Sequence, residues 1–136
     1  GIAQAALVAQ ELGLPLIYIR PTAKEHGAQN QIEGVLESGQ SIIVIEDLVS
    51  TGKSSLNAVD ALRNEGCIVK GMVAIFTYGF EQARQNFLEY KCPLVTLTDY
   101  SSVLEKAIET NYIQASDLES LNAWRENPSQ WEKNPS

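Results

Sequence analysis

The sequence is poor in the residues that build metal centres and disulfide frameworks. It holds one histidine, His26, and two cysteines, Cys67 and Cys92, among 136 residues. A lone histidine cannot form a His-based metal cluster. The cysteines stand in no metal or redox spacing, so they read as small buried or half-buried thiols of a reduced, cytoplasmic protein. Positive charge is also scarce, with 10 Lys and Arg against 17 Asp and Glu and a net charge of −7. That balance excludes a general nucleic-acid binder, whose phosphate contacts need a basic face. No apolar run approaches the roughly 20 residues of a membrane span. The opening residues, GIAQAALVAQELG, carry neither a basic leader nor a cleavage site. Internal repeats and low-complexity tracts are missing too. What is present is 44% hydrophobic and 20% charged residues, a composition that supports a core and is wrong for disorder.

Helical and strand periods alternate along the chain. Ile2 to Leu12 has helical spacing and stops at Gly13, which suits a left-handed cap. Leu16 to Ile19 is a short strand-like run after Pro15, and residues 20–34, RPTAKEHGAQNQIEG, form a polar loop without apolar period. The β-branched run Ile42 to Ile45 predicts a strand buried on both faces, hence a parallel sheet. Ser54 to Glu65 reads as a helix with Leu56, Val59 and Leu62 on one stripe and a stop at Gly66. Ile68 to Phe76 is the next strand, Phe80 to Tyr90 a helix, and Leu94 to Leu97 a strand. Ser102 with Glu105 and Ser116 with Glu119 have capping-box spacing for two last helices, the second carrying Leu118, Leu121 and Trp124. About four strand–helix alternations predict an α/β fold, a parallel sheet with helices on both faces, in one domain over residues 1–136 with a loose tail from 127. Ligands of such sheets bind beyond the carboxyl ends of the strands, here just after Ile19, Ile45, Phe76 and Leu97.

One of those places has the composition of a site. After Ile45 come Glu46, Asp47, Leu48, Val49, Ser50, Thr51, Gly52, Lys53 and Ser54, running straight into a helix. The small and hydroxyl residues from Ser50 to Ser54 enter a helix N-terminus, where unpaired amides and the helix dipole favour an anion. Gly52 lets backbone approach a phosphate, and the hydroxyls of Ser50, Thr51 and Ser54 add donors. Two carboxylates beside such a cradle point to a second ligand group, sugar hydroxyls or a hydrated Mg²⁺. The plain alternative is a strand ending in two solvated acids ahead of an N-capped helix. Gly52-Lys53-Ser54 imitates the end of a P-loop, but the glycine that motif needs five positions earlier is Asp47. No GxGxxG is present to support a dinucleotide fold.

The string VIEDLVSTGKS resembles the phosphoribosyl-diphosphate motif of type I phosphoribosyltransferases: apolar strand, two acids, two apolar residues, then a hydroxyl-rich loop with glycine. The resemblance implies a Rossmann-like core in which Glu46 and Asp47 hold the ribose 2′- and 3′-hydroxyls and Ser50 to Ser54 wrap the 5′-phosphate, with Leu48 and Val49 between them. Arg20, Lys24, His26 and Gly27, followed by Asn30-Gln31-Ile32-Glu33-Gly34, resemble the catalytic loop of orotate phosphoribosyltransferases. AIFTYGF, LTDYSSV and WRENP are similar to the bacterial branch of that enzyme. The likeness thus covers nearly the whole chain. It implies transfer of ribose 5-phosphate from phosphoribosyl diphosphate to orotate, giving orotidine 5′-monophosphate and pyrophosphate in pyrimidine biosynthesis. Mg²⁺ is the implied cofactor, with no direct protein ligand assigned. Asp47, Lys24 and His26 are the implied catalytic residues, Arg20 joins them on the diphosphate, and Ser50 contacts orotate. The family's loop reaches the neighbouring subunit, which implies a homodimer with residues 20–34 acting in the partner. The physics of the loop agrees, because a leaving pyrophosphate needs incoming cations and a cationic sugar needs water kept out.

The chain also departs from the pattern. Pro21 follows Arg20 where many relatives carry a second basic residue, and Tyr78 stands where another branch uses an arginine to grip the base carboxylate. Tyr78 is therefore a second candidate for orotate contact, and equally a packing residue. Gly1-Ile2 resembles the point just after the family's pyrophosphate-binding loop. The family's N-terminal hood and first sheet strand have no counterpart here, which implies weak or absent turnover for this chain alone. Two other functions share the 46–54 site: a non-catalytic module sensing phosphoribosyl diphosphate or a nucleotide, and a purine phosphoribosyltransferase. A sensor has no need of the Arg20–His26 loop, and that loop matches the orotate type.

Overall fold

The computed structural model describes residues 1–20 and 31–129. In chain order these form α1 (Ile2–Leu12), β1 (Tyr18–Ile19), β2 (Ile32–Glu33), β3 (Ser41–Val49), α2 (Lys53–Asn64), β4 (Ile68–Thr77), α3 (Glu81–Glu89), β5 (Leu94–Asp99), α4 (Tyr100–Glu109), a 3₁₀ turn at Ala115–Asp117 and α5 (Leu118–Glu126). Strands β3, β4 and β5 form a parallel sheet in that order. This is the α/β architecture that the alternation predicts, because each parallel neighbour requires a helical crossover.

The core lies between the sheet and α2 with α3. Leu56, Val59 and Leu62, the stripe expected on α2, are each exposed by no more than 2%. Each such burial contributes roughly 1.5–3 kcal/mol. Met72 and Ala74 of the central strand meet them, together with Ala83 and Phe87 of α3. Cys67 and Cys92 are free and buried in the same cluster. Burial, the largest influence, pushes the Cys92 thiol above its ordinary pKa. On the flanks, α1 lies against β3 and α4 against β5.

Four expectations need correction. Leu16–Ile19 does not extend the parallel sheet. Tyr18 and Ile19 pair antiparallel with Glu33 and Ile32, inside the segment expected to be loop throughout. Side chains pin that ribbon: Gln31 Nε2 donates to the Arg20 carbonyl at 2.7 Å, and Arg20 Nη2 pairs with Glu33 Oε1 at 2.9 Å. Second, β3 runs on through Val49, so the acid pair lies within the strand rather than after it. Third, Ile43 is 51% exposed, so the β-branched run is not buried on both faces. Ile75, Val95 and Leu97 are also exposed on the sheet. Fourth, the last helices are capped by other residues than Ser102 and Ser116. Asp99 accepts from the Ser102 amide at 2.9 Å to cap α4, and Gln114 with Asp117 forms the box ahead of α5. In both cases a capping side chain lies upstream of the serine, and takes the amides first.

Helix α3 opens without a side-chain cap, but Glu81 in its first turn accepts from Arg84 Nε at 2.8 Å and from Gln85 Nε2 at 2.7 Å. The Arg84 hydrogen bonds, then that from Gln85, lower the Glu81 pKa from 4.5 to about 2. Its contribution to stability is therefore whole above about pH 4.5 and fades as the pH falls toward 2. Glu81→Gln should flatten the acid limb of the stability profile across that window, read as thermal midpoints against pH. The effect is small because the pair is exposed. Equal acid sensitivity in both proteins would assign the limb to other carboxylates.

Candidate functional site

The carboxyl end of β3 and the start of α2 bring the acid pair and the hydroxyl-rich turn together. Gly52 sits between them at φ 80° and ψ −2°, a left-handed conformation open to glycine at little cost. A Cβ there would also lie 2.6 Å from the Phe87 ring, so the turn is pressed against α3. Helix α2 begins at Lys53 with no side-chain cap. Among the described residues, the backbone N–H groups from Ser50 to Ser55 make no hydrogen bond. The first of the N-terminal amides to find a carbonyl is that of Leu56, on Gly52 at 2.8 Å. A run of unpaired donors at a helix N-terminus suits an oxyanion.

Successive strand residues point to opposite faces. Glu46 turns toward α2, where Ser55 Oγ donates to its Oε1 at 3.0 Å. Asp47 is more exposed and accepts from the Leu48 amide at 2.9 Å. Both carboxylates still reach a common point: the Gly1 nitrogen lies 3.7 Å from Glu46 Oε2 and 3.6 Å from Asp47 Oδ1. Desolvation is the largest single influence on Asp47 and raises its pKa. The hydrogen bond from the Leu48 amide opposes that shift and favours the ionised form. Asp47 is ionised at neutral pH.

Sequence reasoning missed three residues that support this arrangement. Ser55 is 3% exposed and is a polar residue buried against the core. Its signal was available, since it shares the helical stripe of Val59 and Leu62 and is the polar member of it. Asn86 Nδ2 donates to the Thr51 carbonyl at 2.9 Å, and Phe87 stands behind Gly52. Neither has a local signal, because both contacts arise only when α3 folds over the turn. Ser55→Ala leaves Glu46 Oε1 without its donor and should cost about 1.5–3 kcal/mol in urea unfolding, the range for hydrogen bonds to charged groups. An unchanged midpoint would mean that solvent replaces the hydroxyl without loss.

Other expected site residues fall elsewhere. Arg20 is on the β1–β2 ribbon and spends its guanidinium on Glu33. Pro21, Lys24, His26, Gly27, Asn30 and Trp131 lie outside the described residues. Tyr78 follows β4, with its amide donating to the Val49 carbonyl at 3.3 Å. Its ring stacks on Phe80 with centroids 5.3 Å apart and meets Trp124 edge-on at 5.4 Å. Tyr100 completes this aromatic cluster, and its hydroxyl donates to the Leu121 carbonyl at 3.1 Å. The packing role is therefore what the Tyr78 ring displays.

Among the described residues, no group of three or more His, Cys, Asp or Glu could hold a metal ion. The donor set of Glu46 and Asp47 is nevertheless the kind that Mg²⁺ accepts, one or two carboxylates with phosphate and water completing its shell. No helix among the described residues is long and apolar enough to cross a membrane.

Comparison with known proteins places this geometry among others. The phosphoribosyl transferase domain family matches residues 1–107. The chain is 55% identical over 131 residues to the orotate phosphoribosyltransferase of Phocaeicola vulgatus, and 54% identical over the same length to that of Bacteroides fragilis. Both alignments cover 96% of this chain and 62% of the relative, so the chain spans somewhat under two thirds of their length. Among solved structures, the orotate phosphoribosyltransferase of Aeropyrum pernix superposes with a TM-score of 0.71 at 30% identity, over 84% of this chain and 62% of that one.

Proposed function

The chain belongs to the phosphoribosyl transferase domain family, and from that premise we propose that it is the core domain of an orotate phosphoribosyltransferase. The observation that carries this reading is the run of unpaired amides from Ser50 to Ser55 in the turn that follows Glu46 and Asp47, with Ser55 Oγ bonded to Glu46 at 3.0 Å. A sugar phosphate needs those two features side by side: donors for the phosphate and acceptors for the diol. The choice of orotate over another base is supported by the names of the relatives.

In this reading Ser50 to Ser54 hold the 5′-phosphate, Leu48 and Val49 carry the strand into the turn, and Glu46 and Asp47 accept from the 2′- and 3′-hydroxyls. An orotate ring nitrogen bonds to C1′ as the bond from C1′ to the diphosphate oxygen breaks; that electron pair leaves with pyrophosphate, and the proton of the ring N–H is released to solvent. Asp47, ionised, faces the positive charge that grows on the ribose. Arg20, Lys24 and His26 are the cations and donors for the departing pyrophosphate; Arg20 must then exchange Glu33 for the ligand. Ser50 contacts orotate, while Tyr78 shapes the adjoining strand end. Mg²⁺, when bound, offsets the charge of the diphosphate, and Glu46 and Asp47 are the carboxylates available to it. The reading includes one core domain over residues 1–136 with a tail from 127, a homodimer and a cytoplasmic location.

The test is consumption of orotate by the full-length protein with phosphoribosyl diphosphate and Mg²⁺, followed by absorbance, with adenine and xanthine in parallel. Orotate alone should be consumed. Consumption of a purine instead would overturn the base assignment. Binding of phosphoribosyl diphosphate without turnover of any base would make the protein a sensor.

A further inference from the structure

We propose that Asn86, on α3, is a positioning residue that orients the phosphate turn. The proposal rests on the phosphate-turn reading above. Asn86 Nδ2 donates to the Thr51 carbonyl at 2.9 Å across 35 positions of sequence. No other donor reaches that carbonyl among the described residues. The peptide unit joining Thr51 and Gly52 is planar and trans, so its C=O and N–H point in opposite directions. Drawing the carbonyl toward α3 turns the Gly52 N–H, itself one of the turn's unpaired amides, away from α3.

Phe87, the next residue of α3, acts on the same turn by volume. Its ring lies 2.6 Å from where a Gly52 Cβ would be, so the turn has no room to roll back toward the helix. Phe87 is 5% exposed and set in the core, which keeps that wall rigid. Rotation of the 51–52 peptide would lose the Asn86 bond and point a carbonyl dipole at the phosphate. Asn86 thus selects the one of two peptide orientations that presents a donor, without touching the ligand.

The test uses the full-length protein with Asn86→Ala and Asn86→Asp. Asparagine and aspartate match in size, but the carboxylate sets an acceptor against the Thr51 carbonyl. In both variants the Kd for ribose 5-phosphate and the KM for phosphoribosyl diphosphate should rise at least about tenfold, while kcat and the KM for orotate stay within about twofold. Circular dichroism and the thermal midpoint report folding, and if the alanine variant fails to fold the aspartate variant decides. Ribose 5-phosphate affinity within about twofold of wild type overturns the inference alone, as does an equal loss toward orotate, the mark of a merely structural role. Wild-type protein that binds no ribose 5-phosphate overturns the phosphate-turn reading and this inference with it.

Discussion

Gly52→Ala is expected to lower kcat/KM for phosphoribosyl diphosphate in the full-length protein by about 100-fold or more, mainly through KM. Two costs combine. A left-handed backbone at a residue with a Cβ costs roughly 1–2 kcal/mol, and Gly52 has φ 80°. The new methyl also meets Phe87 at 2.6 Å, and such overpacking costs typically about 1–3 kcal/mol. The chain can relieve both only by moving the turn, which carries its amides away from the phosphate. A combined loss near 3 kcal/mol corresponds to about two decades of kcat/KM. Adding Phe87→Leu should recover the steric part, roughly tenfold, and leave the backbone part. A kcat/KM of Gly52→Ala within about threefold of wild type would mean that the left-handed turn is not needed.

Asp47→Asn should reduce turnover at least about tenfold, some 1.4 kcal/mol of barrier. The amide keeps the size and the acceptor oxygen but removes the charge that faces the ribose. Lys24→Ala, which removes a cation expected on the leaving pyrophosphate, should cost at least as much. The two assays distinguish themselves by pH. Activity that depends on the ionised Asp47 carboxylate is lost as the pH falls through its pKa, so that part of the acid limb should be missing from the Asp47→Asn profile. An acid limb that survives in Asp47→Asn would belong to another group, and wild-type turnover in either variant would remove that residue's role.

Much of this arrangement was legible along the chain because its signals are local. The stripe of Leu56, Val59 and Leu62 predicts which face of α2 is buried, and Gly13 and Gly66 mark stops by positive φ. The acid pair and the turn are contiguous in sequence, so their proximity needed no tertiary knowledge. What local pattern does not carry is the partner of each element. Leu16–Ile19 has strand composition, yet the Arg20–Glu33 pair and the Gln31 amide decide that it joins an antiparallel ribbon. Asn86 and Phe87 look like any half-apolar helix segment until α3 lies over the turn. Tyr78 is similar: its place after β4 suggests a ligand contact, and besides Phe80 of the same connection its neighbours Tyr100 and Trp124 come from α4 and α5.

The open face of the parallel sheet has a colloidal consequence. Ile43, Val95 and Leu97 show 51%, 59% and 75% of their surface to solvent, and Leu7 and Leu12 of α1 show 70% and 64%. Exposed aliphatic surface of this kind is adhesive in water, and mutual repulsion at a net charge of −7 works against it. Dissolved salt shortens the reach of that repulsion to about 10 Å at 0.1 M and about 3 Å at 1 M, while leaving the attraction between greasy faces in place. Wherever that face is left bare, raising ionic strength should drive clumping instead of preventing it, and dilute buffer is the condition that keeps the chain dispersed.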